Sequence, residues 1–167
     1  MNTELRLAAE DDGTDVYGML QEMLPNDNGF ENGAHGISVE EYKVWLKRRV
    51  SFSLGQELAD WQVPENTYWL YVDGLPVGYG KLRHRLTEAL KEAGGHIGYG
   101  IRPTQRGKGY GSLILKLLLV KAGELGIAEV LIDCFAGNEP SRKVIEANRG
   151  VLARRTDKRL YYHVAVE

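Results

Sequence analysis

The segment from His96 to Leu125 constrains this chain more than any other. An alternating stretch, His96-Ile-Gly-Tyr-Gly-Ile101, stops at Pro103, a glycine-rich turn follows at 106–111, and an apolar helix opens directly behind it. A strand, bare backbone and a helix start, in that order, bring successive main-chain N–H groups and the positive end of a helix dipole to one point. That arrangement suits an anion such as a pyrophosphate. The competing reading of the turn by itself is a strand-to-helix connection that holds no ligand.

Spacing separates the known phosphate loops. A Walker-type loop needs Gly, four residues, then Gly-Lys and Ser or Thr, whereas Arg102 stands at the first glycine position and Gly109 follows Lys108. A dinucleotide fingerprint needs G-x-G-x-x-G, and Gly107-x-Gly109-x-Gly111 has the wrong third interval. What remains is Arg106-x-x-Gly109-x-Gly111.

The surrounding sequence reads as a mixed α/β chain. Leu5 to Leu7 is a short strand, a helix runs from Thr14 to about Leu24, and 25–37 is a long irregular stretch rich in Asn, Asp and Gly. Ser38-Val-Glu-Glu41 matches a capping box and opens an amphipathic helix carrying Tyr42, Trp45 and Leu46. Thr67–Val72 and Pro76–Leu82 flank Asp73-Gly74 as a β-hairpin, and 84–93 reads as a connecting turn or short helix. After the helix from about Ser112 to Leu125 come a buried strand at Val130–Cys134, a helix from Pro140 to Ala147 and a last strand at 160–166. The expected order is β-α-α-β-β-β-α-β-α-β, one domain over residues 1–167 with no linker or repeat.

Composition narrows the function. Hydrophobic residues at 43% and charged residues at 26% place the chain among globular proteins, and 21 Lys and Arg against 23 Asp and Glu leave no excess of positive charge for nucleic acid. The single cysteine, Cys134, makes neither an internal disulfide nor a cysteine zinc site, and no metal is expected. No stretch approaches the apolar length of a membrane span, so the expected location is cytoplasmic. The sequence leaves a homodimer open.

Ile101-Arg-Pro-Thr-Gln-Arg-Gly-Lys-Gly-Tyr-Gly111 resembles the acetyl-CoA-binding motif of the GNAT superfamily of N-acetyltransferases. Asn138-Glu-Pro-Ser141-Arg-Lys-Val144 is similar to that family's downstream Asn-x-x-Ser segment, and Gly94 to Pro103 is similar to a branch of bacterial predicted acetyltransferases. The resemblance implies a GNAT-like mixed sheet with two central parallel strands splayed apart, here those ending near Ile101 and Cys134. It implies acetyl-CoA as co-substrate, with the amides from Arg106 through Gly107, Lys108, Gly109 and Tyr110 to Gly111 on the pyrophosphate. The edge at Ile101 would lie along the pantetheine, with Asn138 and Ser141 as hydrogen-bonding partners. Lys108 and Lys143 would add charge, or are simply solvated.

The implied reaction is transfer of acetyl to a primary amine of a small molecule or peptide by direct attack in a ternary complex. The alternative is a non-catalytic acyl-CoA-binding or regulatory module. A lysine-like amine needs roughly 4–5 kcal/mol to lose its proton at neutral pH, so a base is required. His96 is the expected base, against a structural histidine. Many relatives carry a tyrosine where Ile145 stands, and Ile cannot donate a proton. Tyr99 is the expected replacement acid, with Tyr110, Tyr161, Tyr162 or water as alternatives. The acceptor site is expected between the 25–37 loop, the helix from Ser38 and the terminal strands, where Asp27, Glu31, Glu40 and Glu41 suit a cationic amine.

Overall fold

The computed structural model describes all residues, 1–167. β1 (Thr3–Leu7), β4 (Glu65–Val72), β5 (Leu75–Arg83) and β6 (Ile97–Ile101) form one antiparallel sheet in the order β1-β4-β5-β6. β7 (Glu129–Phe135), β8 (Val151–Arg155) and β9 (Arg159–Ala165) form a second, in the order β7-β9-β8. Helices α1 (Thr14–Glu22) and α2 (Val39–Ser53) cover one face of the first sheet, and α4 (Tyr110–Glu124) and α5 (Glu139–Ala147) lie on the other side. A short α3 (Glu88–Glu92) links β5 to β6, and a single 3-10 turn, Pro103–Gln105, precedes the glycine turn.

The expected elements are present with two additions, a small hairpin and β8. Residues 26–31 contain a small hairpin of two-residue strands, β2 (Asn26–Asp27) and β3 (Phe30–Glu31), inside what reads as an irregular loop. β8 precedes the last strand, and of the two readings of 84–93 the short helix is the one found, as α3. Local chemistry explains what was legible: the Ser38 hydroxyl accepts from the Glu41 N–H as the capping box requires, and Asp73-Gly74 closes β4 onto β5 with both residues at positive φ.

Two apolar clusters hold the layers. The larger joins β4, β5 and β6 to α4 and the second sheet through Leu70, Ile114, Leu118, Ile132 and Tyr162. The smaller seats Val16, Met19 and Leu20 of α1 and Leu46 of α2 on Trp69 and Tyr79. Each fully buried aliphatic side chain stabilises the fold by about 1.5–3 kcal/mol, so the two clusters fix β4 and β5 from both faces, and Ile97 and Ile101 anchor β6 in the larger one.

The strand edges of the two sheets come into hydrogen-bonding range at the start of β6. His96 donates its N–H to the Leu131 carbonyl at 2.8 Å, and the backbone comes so close there that a Cβ on Gly95 would lie 2.4 Å from that oxygen. Beyond this contact β6 and β7 run on side by side toward the glycine turn and Asn138 without pairing.

Candidate active site

The alternation of hydrogen bonds decides which main-chain groups face the gap. Arg83 N–H to His96 O and Arg102 N–H to Val77 O set the β5–β6 ladder, so the amides of Gly98 and Gly100 point to β5 while those of Tyr99 and Ile101 point to the open side. On β7, Ala136 N–H to Lys158 O sets the same alternation, and Asp133 and Phe135 face the gap. Two unpaired strand edges therefore line it, the geometry that accepts an extended ligand with amides of its own.

At the end of β6 the glycine turn is open. Gly107 and Gly109 have φ of +76° and +82°, and nothing lies within 4 Å of a Cβ built on either, so backbone conformation rather than crowding calls for glycine there. The N–H groups of Gly107, Lys108 and Gly109 donate to no acceptor in the protein, and the first-turn amides of Tyr110 and Gly111 have no partner within α4. The Arg106 amide differs from the expectation: it closes the 3-10 turn on Pro103 O at 3.3 Å, so the free run starts at Gly107. The Arg106 guanidinium reaches Ile101 O at 3.1 Å and Asp27 of the β2–β3 hairpin at 2.6 Å.

A cleft passes beneath that hairpin in two halves. One, of about 510 Å³, is lined by the glycine turn, Tyr110, Gly100, Ile101 and Val144. The other, of about 410 Å³, is lined by Phe30, Glu31, Trp61, Lys81, Gly98 and Cys134. Asp27, Asn28, Tyr99, Asn138 and Ser141 belong to both. Gly98 and Gly100 leave the floor bare, and Phe30 fills part of the space, 3.4 Å and 3.2 Å from where their Cβ atoms would stand.

Tyr99 sits at the junction. Its hydroxyl is 3.2 Å from the Ser141 hydroxyl, and burial pushes its pKa up to about 12 against the opposing Ser141 hydrogen bond, so it stays protonated. Asn138 caps α5 by accepting from the Ser141 N–H at 3.4 Å, which fixes Ser141 toward Tyr99. Lys108 lies outside the cleft, its Nζ donating to Gln105 at 2.9 Å, and Lys143 is exposed.

His96 requires a correction. Its Nδ1 accepts the Leu131 N–H at 2.9 Å, so the neutral ring carries its proton on Nε2 and has no free lone pair for an acceptor amine. It lines neither half of the cleft, and burial, Arg83 and His163 hold its pKa below the usual histidine value. Its geometry is that of a clasp between the sheets. Asp133 is also spoken for, by the Arg159 guanidinium at 2.5 Å and the Gly94 N–H at 3.0 Å. Asp27 pairs with Arg106, and Glu40 and Glu41 lie outside the cleft. Glu31 is the one carboxylate lining the cleft without a cationic partner.

Ile145 is wholly buried in the larger cluster and faces the core, not the cleft. Among the candidate replacements, Tyr161 donates to Glu92 O at 2.6 Å and Tyr162 to Glu146 at 3.0 Å, away from the cleft, while Tyr110 lines only the glycine-turn half. Lys81 is a cleft residue that the sequence does not single out. It is the one lysine of β5, and its register opposite Gly98 brings it to the site.

The model of the acetyltransferase (GNAT) domain matches residues 3–150. The chain belongs to the GNAT acetyltransferase family. No curated protein sequence matches it. Solved structures share the fold of this GNAT enzyme at low identity. An N-acetyltransferase from Staphylococcus aureus Mu50 is 18% identical with a TM-score of 0.65, covering 100% of each chain. The Campylobacter jejuni N-acetyltransferase PseH, in complex with acetyl coenzyme A, is 12% identical with a TM-score of 0.65, covering 99% of this chain and 100% of its own. The Salmonella typhimurium acetyl transferase that modifies the N-terminal serine of ribosomal protein L7/L12 is 18% identical with a TM-score of 0.65, covering 100% of this chain and 96% of its own. No helix of this GNAT acetyltransferase is long and apolar enough to cross a membrane.

Proposed function

We propose that the protein transfers the acetyl group of acetyl-CoA to a primary amine of a small molecule or peptide, by direct attack within a ternary complex. The observation that carries this reading is the two-part cleft. Free amides at a helix start form one end, a partnerless carboxylate the other, and Tyr99 stands where they meet. The complex of one structural neighbour with acetyl coenzyme A and the action of another on a protein N-terminus support the same two ligands.

In this reading the amides of Gly107 to Gly111 hold the pyrophosphate, and the Tyr99 and Ile101 edge of β6 lies along the pantetheine. The thioester carbonyl faces the Tyr99 amide, which offers a donor to the oxyanion as it forms. Glu31 attracts the acceptor ammonium and takes up its proton through water. The amine attacks the carbonyl carbon, and CoA leaves as a thiolate. With a pKa of about 12 against roughly 8.5 for a free thiol, Tyr99 stabilises the leaving sulfur by donating a hydrogen bond while water supplies the proton.

Calorimetry with acetyl-CoA, paired with thiol release over a panel of small primary amines and peptides with free N-termini, tests the proposal. Binding with turnover on at least one amine is expected. Binding with no thiol release on any of them would overturn it in favour of an acyl-CoA-binding module.

A further inference from the structure

Lys81 has a place in the cleft that neither binding nor transfer, as described above, uses. It lies on β5 directly opposite Gly98 of β6, so its side chain shares the bare face of the strand that borders the reaction point. Its Nζ donates to Glu31 O at 2.6 Å and lies 4.7 Å and 5.3 Å from the ring centroids of Phe30 and Tyr79. No carboxylate pairs with it, and no other lysine lines either half of the cleft. An amine is thus built into the space that an acceptor amine must enter.

We propose that Lys81 is itself an acetyl acceptor: with acetyl-CoA in the cleft and no external amine, Nζ takes the acetyl group, and acetylated Lys81 then fills the acceptor half and stops turnover. The inference rests on the acetyl-transfer reading of the cleft. In the step, the Nζ lone pair attacks the thioester carbonyl carbon, the C–N bond forms and the C–S bond breaks. The proton released from nitrogen goes to the departing thiolate, leaving an amide and the free CoA thiol with no change of oxidation state.

The surroundings favour the reactive form. Burial, with Arg49 and Arg83 adding to it and Glu65 and Glu31 opposing, brings the Lys81 ammonium down to about 8. Near that pH about half the amine is neutral, against roughly 0.4% for a free lysine. The product also fits its neighbours. An amide N–H can still donate to Glu31 O, and the acetyl methyl adds apolar surface beside Phe30.

The test is incubation of the full chain with acetyl-CoA and no amine, followed by intact mass and peptide mapping, with calorimetric binding of acetyl-CoA measured alongside. We expect one acetyl group at Lys81, forming about tenfold faster at about pH 9 than at about pH 7 and levelling above that, while exposed lysines continue to gain. Lys81→Arg should bind acetyl-CoA and lose this mark. The acetyl thioester of N-acetylcysteamine, which lacks the pyrophosphate, should mark exposed lysines only. Lys81 left unmodified, or modified no faster than exposed lysines, in a protein that binds acetyl-CoA would overturn the inference and leave the transfer reading standing. Absence of any calorimetric binding would instead overturn the transfer reading, and this inference with it.

Discussion

At the scale of single residues, the two side chains expected to do the chemistry part company. Tyr99 faces the cleft and remains a donor, so Tyr99→Phe should lower kcat by roughly a hundredfold with little change in the affinity for acetyl-CoA. Steady-state kinetics separates the two. His96 holds Leu131 of the neighbouring sheet, and His96→Ala leaves that N–H without its acceptor, at a cost of about 1–3 kcal/mol in denaturant unfolding. His96→Asn, whose side-chain oxygen can accept the same bond, should recover part of the loss. The pH dependence of the rate should be the same in both variants as in the parent; loss of a limb would restore His96 as base. Stability has its own pH dependence. The folded pKa of His96 is depressed by burial, so below about pH 6.5 the unfolded chain binds a proton that the folded protein resists. Stability therefore falls as pH drops through that window and levels off below the folded value. His84, lowered by burial too, adds a slope of the same sign. Unfolding of His96→Asn should show a shallower acid slope.

At the scale of elements, the β2–β3 hairpin decides how the cleft is roofed. Asp27 ties it to Arg106 at the glycine turn, Lys81 ties it to β5, and Phe30 packs edge-on to Tyr79 at 4.9 Å between centroids. The Arg106 guanidinium lines the glycine-turn half of the cleft and is held by Asp27, which in the proposed reading competes for it with the pyrophosphate. A half-exposed pair of this kind contributes about 0.2–1 kcal/mol. Asp27→Asn should therefore tighten acetyl-CoA binding by up to about fivefold at low salt, with the difference fading as salt is raised, as calorimetry would show. The hairpin was not legible in the sequence, for a physical reason. Strands of two residues carry no periodicity, and this pair is held by contacts to Gly98, Gly100 and Lys81, which lie far away along the chain. β8 carries no signal of its own, because Val151 to Arg155 is exposed throughout and shows no alternation. Elements with their own local signals were readable: the Ser38 cap, the Asp73-Gly74 turn and the glycine turn before α4. The same division runs through the site. The free amides of 107–109 follow from local composition, whereas the engagement of His96 needed a partner 35 residues away.

At the scale of the whole molecule, the two sheets share a core but are hydrogen-bonded along the β6–β7 seam at its start, where His96 meets Leu131 and Gly94 meets Asp133, and the gap beyond exposes unpaired edges on both. An extended ligand seated there replaces missing strand pairing, so binding should act on the fold as well as on the site. At acetyl-CoA concentrations about a hundredfold above Kd, mass action contributes about 2.7 kcal/mol. For a chain of this length that corresponds to a rise in Tm of roughly 5–10 °C. Hydrogen exchange locates the effect. Among the amides of β6, those of Tyr99 and Ile101 face the gap while those of Gly98 and Gly100 already bond to β5. Acetyl-CoA should therefore slow exchange at Tyr99 and Ile101 and at Gly107 to Gly109, and change Gly98 and Gly100 far less. Uniform slowing along β6 would mean that the ligand merely stabilises the protein from elsewhere, and the assignment of the gap as the pantetheine path would have to be given up.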